Sequence, residues 1–206
     1  MPLRFIITAG PTREHIDPVR FISNPSSGRM GFAVAAAAAR RGHDVILIAG
    51  PVSLPTPKNV RRIDVVSARD MLAAVQSEIG SSTFLVATAA VADWRPKETA
   101  AKKLKKSQMT GILELERNPD ILKTVTGCRK IGFAAETGDA ISEGQRKCRE
   151  KGLELIVAND VTEKGAGFGG KTNRVAFITP DGDVQCLPLM SKAAIGTRLV
   201  KFCEKL

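Results

Sequence analysis

The stretch GRMGFAVAAAAARRGHDVILIAGP, residues 28–51, decides how this chain folds. Its first half, Gly28 to Arg41, is rich in alanine, long enough for a helix and closed by Gly42. Its second half, Asp44 to Ala49, is an unbroken apolar run too short for a helix and stopped by Gly50-Pro51. The run before it, Leu3 to Ala9 (LRFIITA), has the same character and ends in Gly10-Pro11. Strand, helix, strand, with both strands apolar along their length, is the unit that builds a parallel sheet buried on two faces.

The alternation continues outward. Arg62 to Val66 reads as a strand, Ala68 to Ile79 as a helix and Thr83 to Ala90 as a fourth strand. After a lysine-rich interruption, Ile112 to Glu116 is extended. Asn118-Pro119-Asp120 then opens a short helix, with proline at a permitted early position. Lys130 to Ala135 is a strand, Asp139 to Lys151 a helix ending at Gly152, and Leu153 to Ala158 a strand. The expected class is α/β, a Rossmann-like, mostly parallel sheet with helices on both faces. The tail departs from the pattern. A glycine-rich loop (Gly165 to Gly170) precedes two runs, Arg174 to Thr179 and Val184 to Leu189, which flank the turn Pro180-Asp181-Gly182-Asp183 and predict a hairpin with a flap before it. Ser191 then caps a last helix. No repeat or linker interrupts the chain, so residues 1–206 are read as one domain.

Composition narrows the function classes. The 206 residues hold 31 Lys+Arg against 21 Asp+Glu, a formal charge of +10, with 43% hydrophobic residues. That apolar content is enough for a core and argues against disorder. The longest apolar run, Gly31 to Ala39, is too short to span a bilayer, and Met1-Pro2-Leu3-Arg4 leads straight into a strand with no signal-peptide pattern. The expectation is a cytoplasmic protein with no membrane partner. The positive surplus leaves nucleic acid, anionic small molecules or mere solubility open. Aromatics make up 4%, with one Trp and no Tyr, which is poor material for base-stacking platforms. The four cysteines are widely spaced, without CxxC, and the two histidines lie far apart, which argues against zinc. Cys148 and Cys203 read as buried free thiols.

In sheets of this class ligands bind at the carboxyl ends of strands, and the chemically suggestive segments begin there. The loop from Gly10 to Gly28 is long, carries Asp17, Arg20 and Asn24, and ends in Ser26-Ser27-Gly28 at a helix start, where free N–H groups suit an anion; a plain loop capped by Ser27 is the alternative. It is not the tight GxGxxG turn of a dinucleotide site. Ala89-Ala90-Val91-Ala92-Asp93 offers small residues for close approach and a carboxylate for ribose hydroxyls or a metal, or else a solvated strand exit. Lys97, Lys102, Lys103, Lys105 and Lys106 form either a solvated face or a polyphosphate clamp. Phe133 near a strand end can stack on a base or pack in the core. Lys147 and Lys151 share a helical face and repel unless an anion or partner offsets them.

Taken in order, GPTREHIDPVRFISNPSSGRMG, AAVADWRP, KLKK, RNPDIL, GFAAET, the ANDV of Ala158 to Val161 and the FGGKTN of Phe168 to Asn173 resemble the phosphopantothenate–cysteine ligase family across essentially the whole chain. The resemblance implies a homodimer that forms an acyl nucleotide from 4′-phosphopantothenate and CTP, releases pyrophosphate, then lets L-cysteine displace CMP, with Mg²⁺ as divalent ion. It implies no nucleic-acid partner and no flavin in this chain; a flavin-dependent decarboxylase, fused or separate, is the expected neighbour. Asn24 matches the asparagine that handles the acyl nucleotide, and Arg20 an arginine close to it, with Ala89 and Ala90 also at the substrate. Lys103 matches the lysine needed to form the acyl nucleotide; the doubled lysine leaves Lys102 as the other candidate. Ala87, Thr88, Ala89, Asp93, Pro119, Asp120, Ile121, Leu122, Phe133, Lys147 and Lys151 match nucleotide contacts. The metal ligands and the base for the cysteine amine are not identified. Two other classes compete. An NAD(P)-dependent oxidoreductase shares the fold class, but this chain lacks GxGxxG after strand 1 and any tyrosine. A nucleic-acid module would use the charge but lacks the aromatics.

Overall fold

The first strand, β1 (Arg4–Ala9), lies in the middle of an eight-stranded sheet. The structure is a computed structural model and describes residues 1–80, 83–105, 111–163, 165–167 and 169–206. Lys106 of the lysine cluster and Phe168 of the glycine-rich loop lie outside the described residues.

After β1 the chain forms a small hairpin, β2 (Arg13–His15) and β3 (Phe21–Ser23), then α1 (Arg29–Arg40), β4 (Asp44–Ala49), β5 (Arg61–Asp64), α2 (Ala68–Glu78) and β6 (Thr83–Ala87). A second hairpin-like pair follows, β7 (Trp94–Pro96) with β8 (Leu115–Arg117). The rest is α3 (Ile121–Thr124), β9 (Arg129–Glu136), α4 (Ala140–Glu150), β10 (Leu155–Asp160), β11 (Thr172–Asn173), β12 (Ala176–Ile178), β13 (Val184–Cys186), β14 (Met190–Ser191) and α5 (Lys192–Cys203).

The sheet runs β13-β12-β10-β9-β6-β1-β4-β5. Six adjacent strands, from β10 to the edge strand β5, are parallel, and the expected C-terminal hairpin, β12 with β13, extends the sheet antiparallel at the other edge. Numbered in order of appearance, the parallel strands run 3-2-1-4-5-6, so the direction of winding reverses between β1 and β6. Side chains along β1 alternate between two cores. Phe5, Ile7 and Ala9 face α1 and α5, and Ile6 joins Met71 and Val75 of α2 on the other face. A third cluster packs Cys148 of α4 on β10 and β12. Burial pushes the Cys203 thiol up to about 12 and raises that of Cys148 too, as expected of packing thiols. Cys128 is half-buried and Cys186 exposed.

Three local expectations shift for physical reasons. β6 stops at Ala87, because Thr88 and Ala90 turn their N–H groups to Thr8 O (3.2 Å) and Gly10 O (2.9 Å) and follow the exit of β1. The extended segment read at Ile112 to Glu116 becomes a strand only at Leu115–Arg117, where its distant partner Trp94–Pro96 supplies the ladder. Pro119 stands just before the α3 N-cap, Asp120, rather than within the helix.

Candidate active site

Where the winding reverses, at the carboxyl ends of β1 and β6, lies a cleft of about 480 Å³. The start of α1 forms its floor. Gly28 is the N-cap in the left-handed region (φ 75°), with no side-chain cap; it is Gly28, not Ser27, that begins the helix. The N–H groups of the first turn therefore face the cleft without a side-chain acceptor from the cap, and an anion is their natural complement. Gly31 brings this turn down onto both strand exits. A β-carbon there would sit 2.5 Å from Ala9 Cβ and 2.5 Å from Thr88 Oγ1.

The loop before α1 folds over the β6 exit. Asn24 Nδ2 donates to the carbonyls of Ala90 (3.4 Å) and Val91 (3.1 Å), which aims the amide along the segment whose small residues, Ala87, Thr88, Ala89 and Ala90, line the cleft. Thr88 Oγ1 donates to Thr8 O at 2.7 Å, and Thr12 Oγ1 accepts the Ala92 N–H at 3.0 Å. Asn118 clamps the far end, donating its backbone N–H to Asp93 O (2.8 Å) and Nδ2 to Ala92 O (2.8 Å). Asp93 lines the cleft with an exposed carboxylate.

The opposite wall comes from α3, β9 and α4. Asp120, Ile121, Leu122, Phe133, Lys147 and Lys151 all line it. The repulsion expected between the two lysines is offset by carboxylates: Lys147 Nζ pairs with Glu136, and Lys151 Nζ with Asp120 at 2.9 Å. Asp120 also caps α3 by accepting the Lys123 N–H at 3.2 Å. Burial pushes its carboxyl up, but the Lys151 hydrogen bond and charge outweigh this and hold it below the ordinary range. Lys147 and Lys151 stand at the C-terminal end of α4, where the helix dipole favours cations. Phe133 packs against the core beneath α1, and it also borders the cleft.

Of the residues singled out from the sequence, Arg20, Lys103 and Pro119 do not line this cleft, and neither do Asp17, Lys97, Lys102 and Lys105. Arg20 is held to Asp17, and Lys103, like Lys102, is exposed on the segment after β7. Conversely, the cleft includes Thr8, Arg29, Glu136, Asn159, Asn173 and Lys192, none of which the sequence reading picked out as site residues. Asn159 is 8% exposed, and its Nδ2 has no partner. Lys192 is 7% exposed and donates to Gly167 O at 3.1 Å, with no carboxylate partner among the described residues. Burial, and then the nearby Arg29 charge, push its ammonium below the ordinary lysine range. A readable signal did exist for Lys192. It follows the cap Ser191 at the first position of α5, where the helix dipole opposes a cation.

Among the described residues no three His, Cys, Asp or Glu side chains gather as a metal cluster. Mg²⁺ that arrives with a polyphosphate needs only one or two carboxylates, and Asp93, with no cation paired to it among the described residues, fits that lesser demand. No helix among the described residues is long and apolar enough to cross a membrane.

Comparison with known proteins identifies the family and the fold. Residues 2–206 match the family described as DFP, the DNA/pantothenate metabolism flavoprotein C-terminal domain. The chain is 45% identical over 210 residues to the coenzyme A biosynthesis bifunctional protein CoaBC of Vibrio vulnificus, covering 98% of this chain and 52% of that protein. It is 48% identical over 201 residues to the Bacillus subtilis protein of the same name, covering 95% and 50%. The chain thus spans about half the length of the curated relatives it matches. The crystal structure of a C-terminal domain of CoaBC superimposes with a TM-score of 0.83 at 42% identity, covering 98% of this chain and 94% of that one.

Proposed function

Because the chain belongs to the DNA/pantothenate metabolism flavoprotein C-terminal domain family, we propose that it is a phosphopantothenate–cysteine ligase acting in coenzyme A biosynthesis. The observation that carries this reading is one cleft with an uncapped helix N-terminus and Asn24 on one wall, and Asp120, Phe133, Lys147 and Lys151 on the other. It offers two anion-accepting ends with an amide between them, as a phosphorylated acid and a nucleoside triphosphate require.

In this reading a carboxylate oxygen of 4′-phosphopantothenate attacks the α-phosphorus of CTP. The bond to the β-phosphate oxygen breaks and pyrophosphate leaves. The cysteine amine then attacks the acyl carbon; the C–N bond forms, the bond to the CMP oxygen breaks, and the amine gives up a proton. Asn24, anchored through Nδ2 to Ala90 and Val91, orients the acyl group for that attack. Lys103, which stands outside the cleft lining and is assigned by the family resemblance with Lys102 as the alternative, neutralises charge growing on the α-phosphate. Asp93 takes the ribose hydroxyls or the Mg²⁺ that accompanies the triphosphate; the ion, when bound, supplies further charge neutralisation. Arg29 and Lys192 stand beside the α1 N-terminus as cations for a phosphate. Lys147 and Lys151 meet the nucleotide, exchanging their carboxylate partners for it. The choice of CTP, the homodimer, the cytoplasmic setting and a flavin-dependent decarboxylase as neighbour are part of this proposal and rest on the family resemblance.

The test is pyrophosphate release from CTP that depends on phosphopantothenate, followed by CMP release that depends on cysteine. Lys103→Gln is expected to stop the first step, on the order of 10²–10³-fold, and Asn24→Asp to let the acyl-cytidylate accumulate. No turnover with any nucleotide would sink the reading. Both variants failing at the same step would overturn the assignment of roles.

A further inference from the structure

The group to explain is Asp17, a carboxylate with 0% exposure that lies outside the cleft. Its Oδ1 accepts the N–H groups of Val19 and Arg20, both at 2.8 Å. Its Oδ2 accepts Arg20 Nε at 3.0 Å, Arg20 Nη2 at 2.5 Å, and the backbone N–H of Leu104 at 3.2 Å. Arg20 Nη2 closes the ring by donating to Leu104 O at 2.9 Å. Leu104 is the residue next to Lys103. Both of its peptide groups are thus gripped by one ion pair, the N–H by the carboxylate and the C=O by the guanidinium.

This grip is the end of a longer tether. Thr99 Oγ1 donates to His15 O, and the Ala100 N–H to Ile16 O, both at 2.9 Å. Residues 99–104 therefore run along the turn of the β2–β3 hairpin. That hairpin is fixed to the body in turn. Glu14, 3% exposed, accepts the Ala68 N–H at the start of α2 (2.9 Å), and the Arg13 N–H donates to Val66 O (2.8 Å). An exposed lysine on a loop would otherwise sample many positions, and a displacement of about 1 Å costs a reacting group on the order of 10² in rate.

We propose that Asp17 is a positioning residue: by holding Arg20 and both peptide groups of Leu104 at once, it fixes Lys103 and Arg20 as one rigid cationic unit for formation of the acyl nucleotide. The proposal rests on the ligase reading of Lys103 and adds to it a residue that touches neither substrate.

The experiment is a double-mutant cycle of Asp17→Asn with Lys103→Gln, read as single-turnover pyrophosphate release, together with the CTP dissociation constant and hydrogen exchange at the Leu104 amide. Asp17→Asn is expected to slow pyrophosphate release at least 10-fold with CTP affinity within about twofold, and to raise exchange at Leu104. In the Lys103→Gln background it is expected to add little, because its effect passes through that lysine. Additive losses in the cycle, or CTP affinity and turnover falling together, would mean a merely structural role and overturn the proposal. If Asp17→Asn does not fold, Leu104→Pro removes the amide proton, together with the leucine side chain and the freedom of φ at 104 and of the Lys103 backbone before it, and leaves the carboxylate its Val19 and Arg20 contacts; wild-type release in that variant also overturns the proposal. Lys103→Gln with full activity would instead refute the ligase reading of that lysine, and Leu104 exchange would then decide the tether by itself.

Discussion

Gly31 is the residue on which the cleft closes. Its missing side chain lets the first turn of α1 touch Ala9 and Thr88, and a methyl at 2.5 Å from each has no room without moving the helix or the strand exits. Gly31→Ala is therefore expected to lose about 1–3 kcal/mol of stability and to raise the KM for the substrate phosphate more than it lowers kcat. Urea unfolding and steady-state kinetics check the two effects; wild-type stability would mean that the helix shifts freely. At this scale the sequence was legible where residue type and neighbours formed a motif. Asn24 behind a proline-rich loop and Asp93 at a strand exit were visible in that way. Asn159 carries no such sign, because its distinction is an amide nitrogen at 8% exposure with no partner among the described residues. Burial of that kind arises only when β10 is placed beside β9.

The elements are joined by a few polar staples, and one is well suited to measurement. Glu204, just past α5, accepts from Arg41 Nε (2.6 Å) and from His43 Nε2 (2.9 Å), tying the last helix to the turn between α1 and β4. His43 Nδ1 accepts the Leu3 N–H, so its proton is on Nε2, as the contact with Glu204 requires. The Arg41 hydrogen bond, with a smaller one from His43, holds the Glu204 carboxyl at about 2, against an ordinary value of 4.5. A depressed carboxylate stabilises the fold above its unfolded pKa and ceases to do so as pH falls through its folded one. Glu204→Gln is expected to lower Tm by on the order of 2–4 °C at pH 7, as for an exposed pair worth about 1 kcal/mol, with the gap to wild type closing between about pH 4.5 and 2. A gap unchanged at pH 2.5 would assign the effect to packing. The strands were legible where, as in β1, β4, β6 and β10, an apolar run fills most of the strand. The β7–β8 pair was not, since Trp94 and Arg117 meet across a long stretch of chain that carries no local sign of the register.

For the molecule as a whole, the +10 charge was the most ambiguous feature of the sequence and gains meaning from the sheet. The reversal between β1 and β6 gathers Arg29, Lys147, Lys151 and Lys192 at one opening. Asp93, Asp120 and Glu136 at the same opening offset three of these four charges, and the remaining surplus, added to the net charge, draws polyanions toward the cleft over roughly a Debye length, about 10 Å at 0.1 M salt. Raising KCl from 50 to 500 mM is expected to increase the KM for CTP several-fold with kcat nearly constant. A salt-independent KM would leave the surplus charge with solubility alone. The fold class was legible because alternation of strand and helix admits few topologies, and the cleft followed from it. The completeness of the walls was not, since Arg29 and Lys192 begin helices far apart in sequence.

Those two cations have a consequence for how the protein can change. Lys192 lies buried near another positive charge, and Asn159 Nδ2 has no partner among the described residues. A glutamate facing Lys192, or an apolar residue in place of Asn159, would make the resting fold more stable and the cleft less receptive to phosphate. The resting molecule therefore sits below the stability its own framework permits, and the easiest stabilising substitutions to find are expected to cluster where they blunt its chemistry.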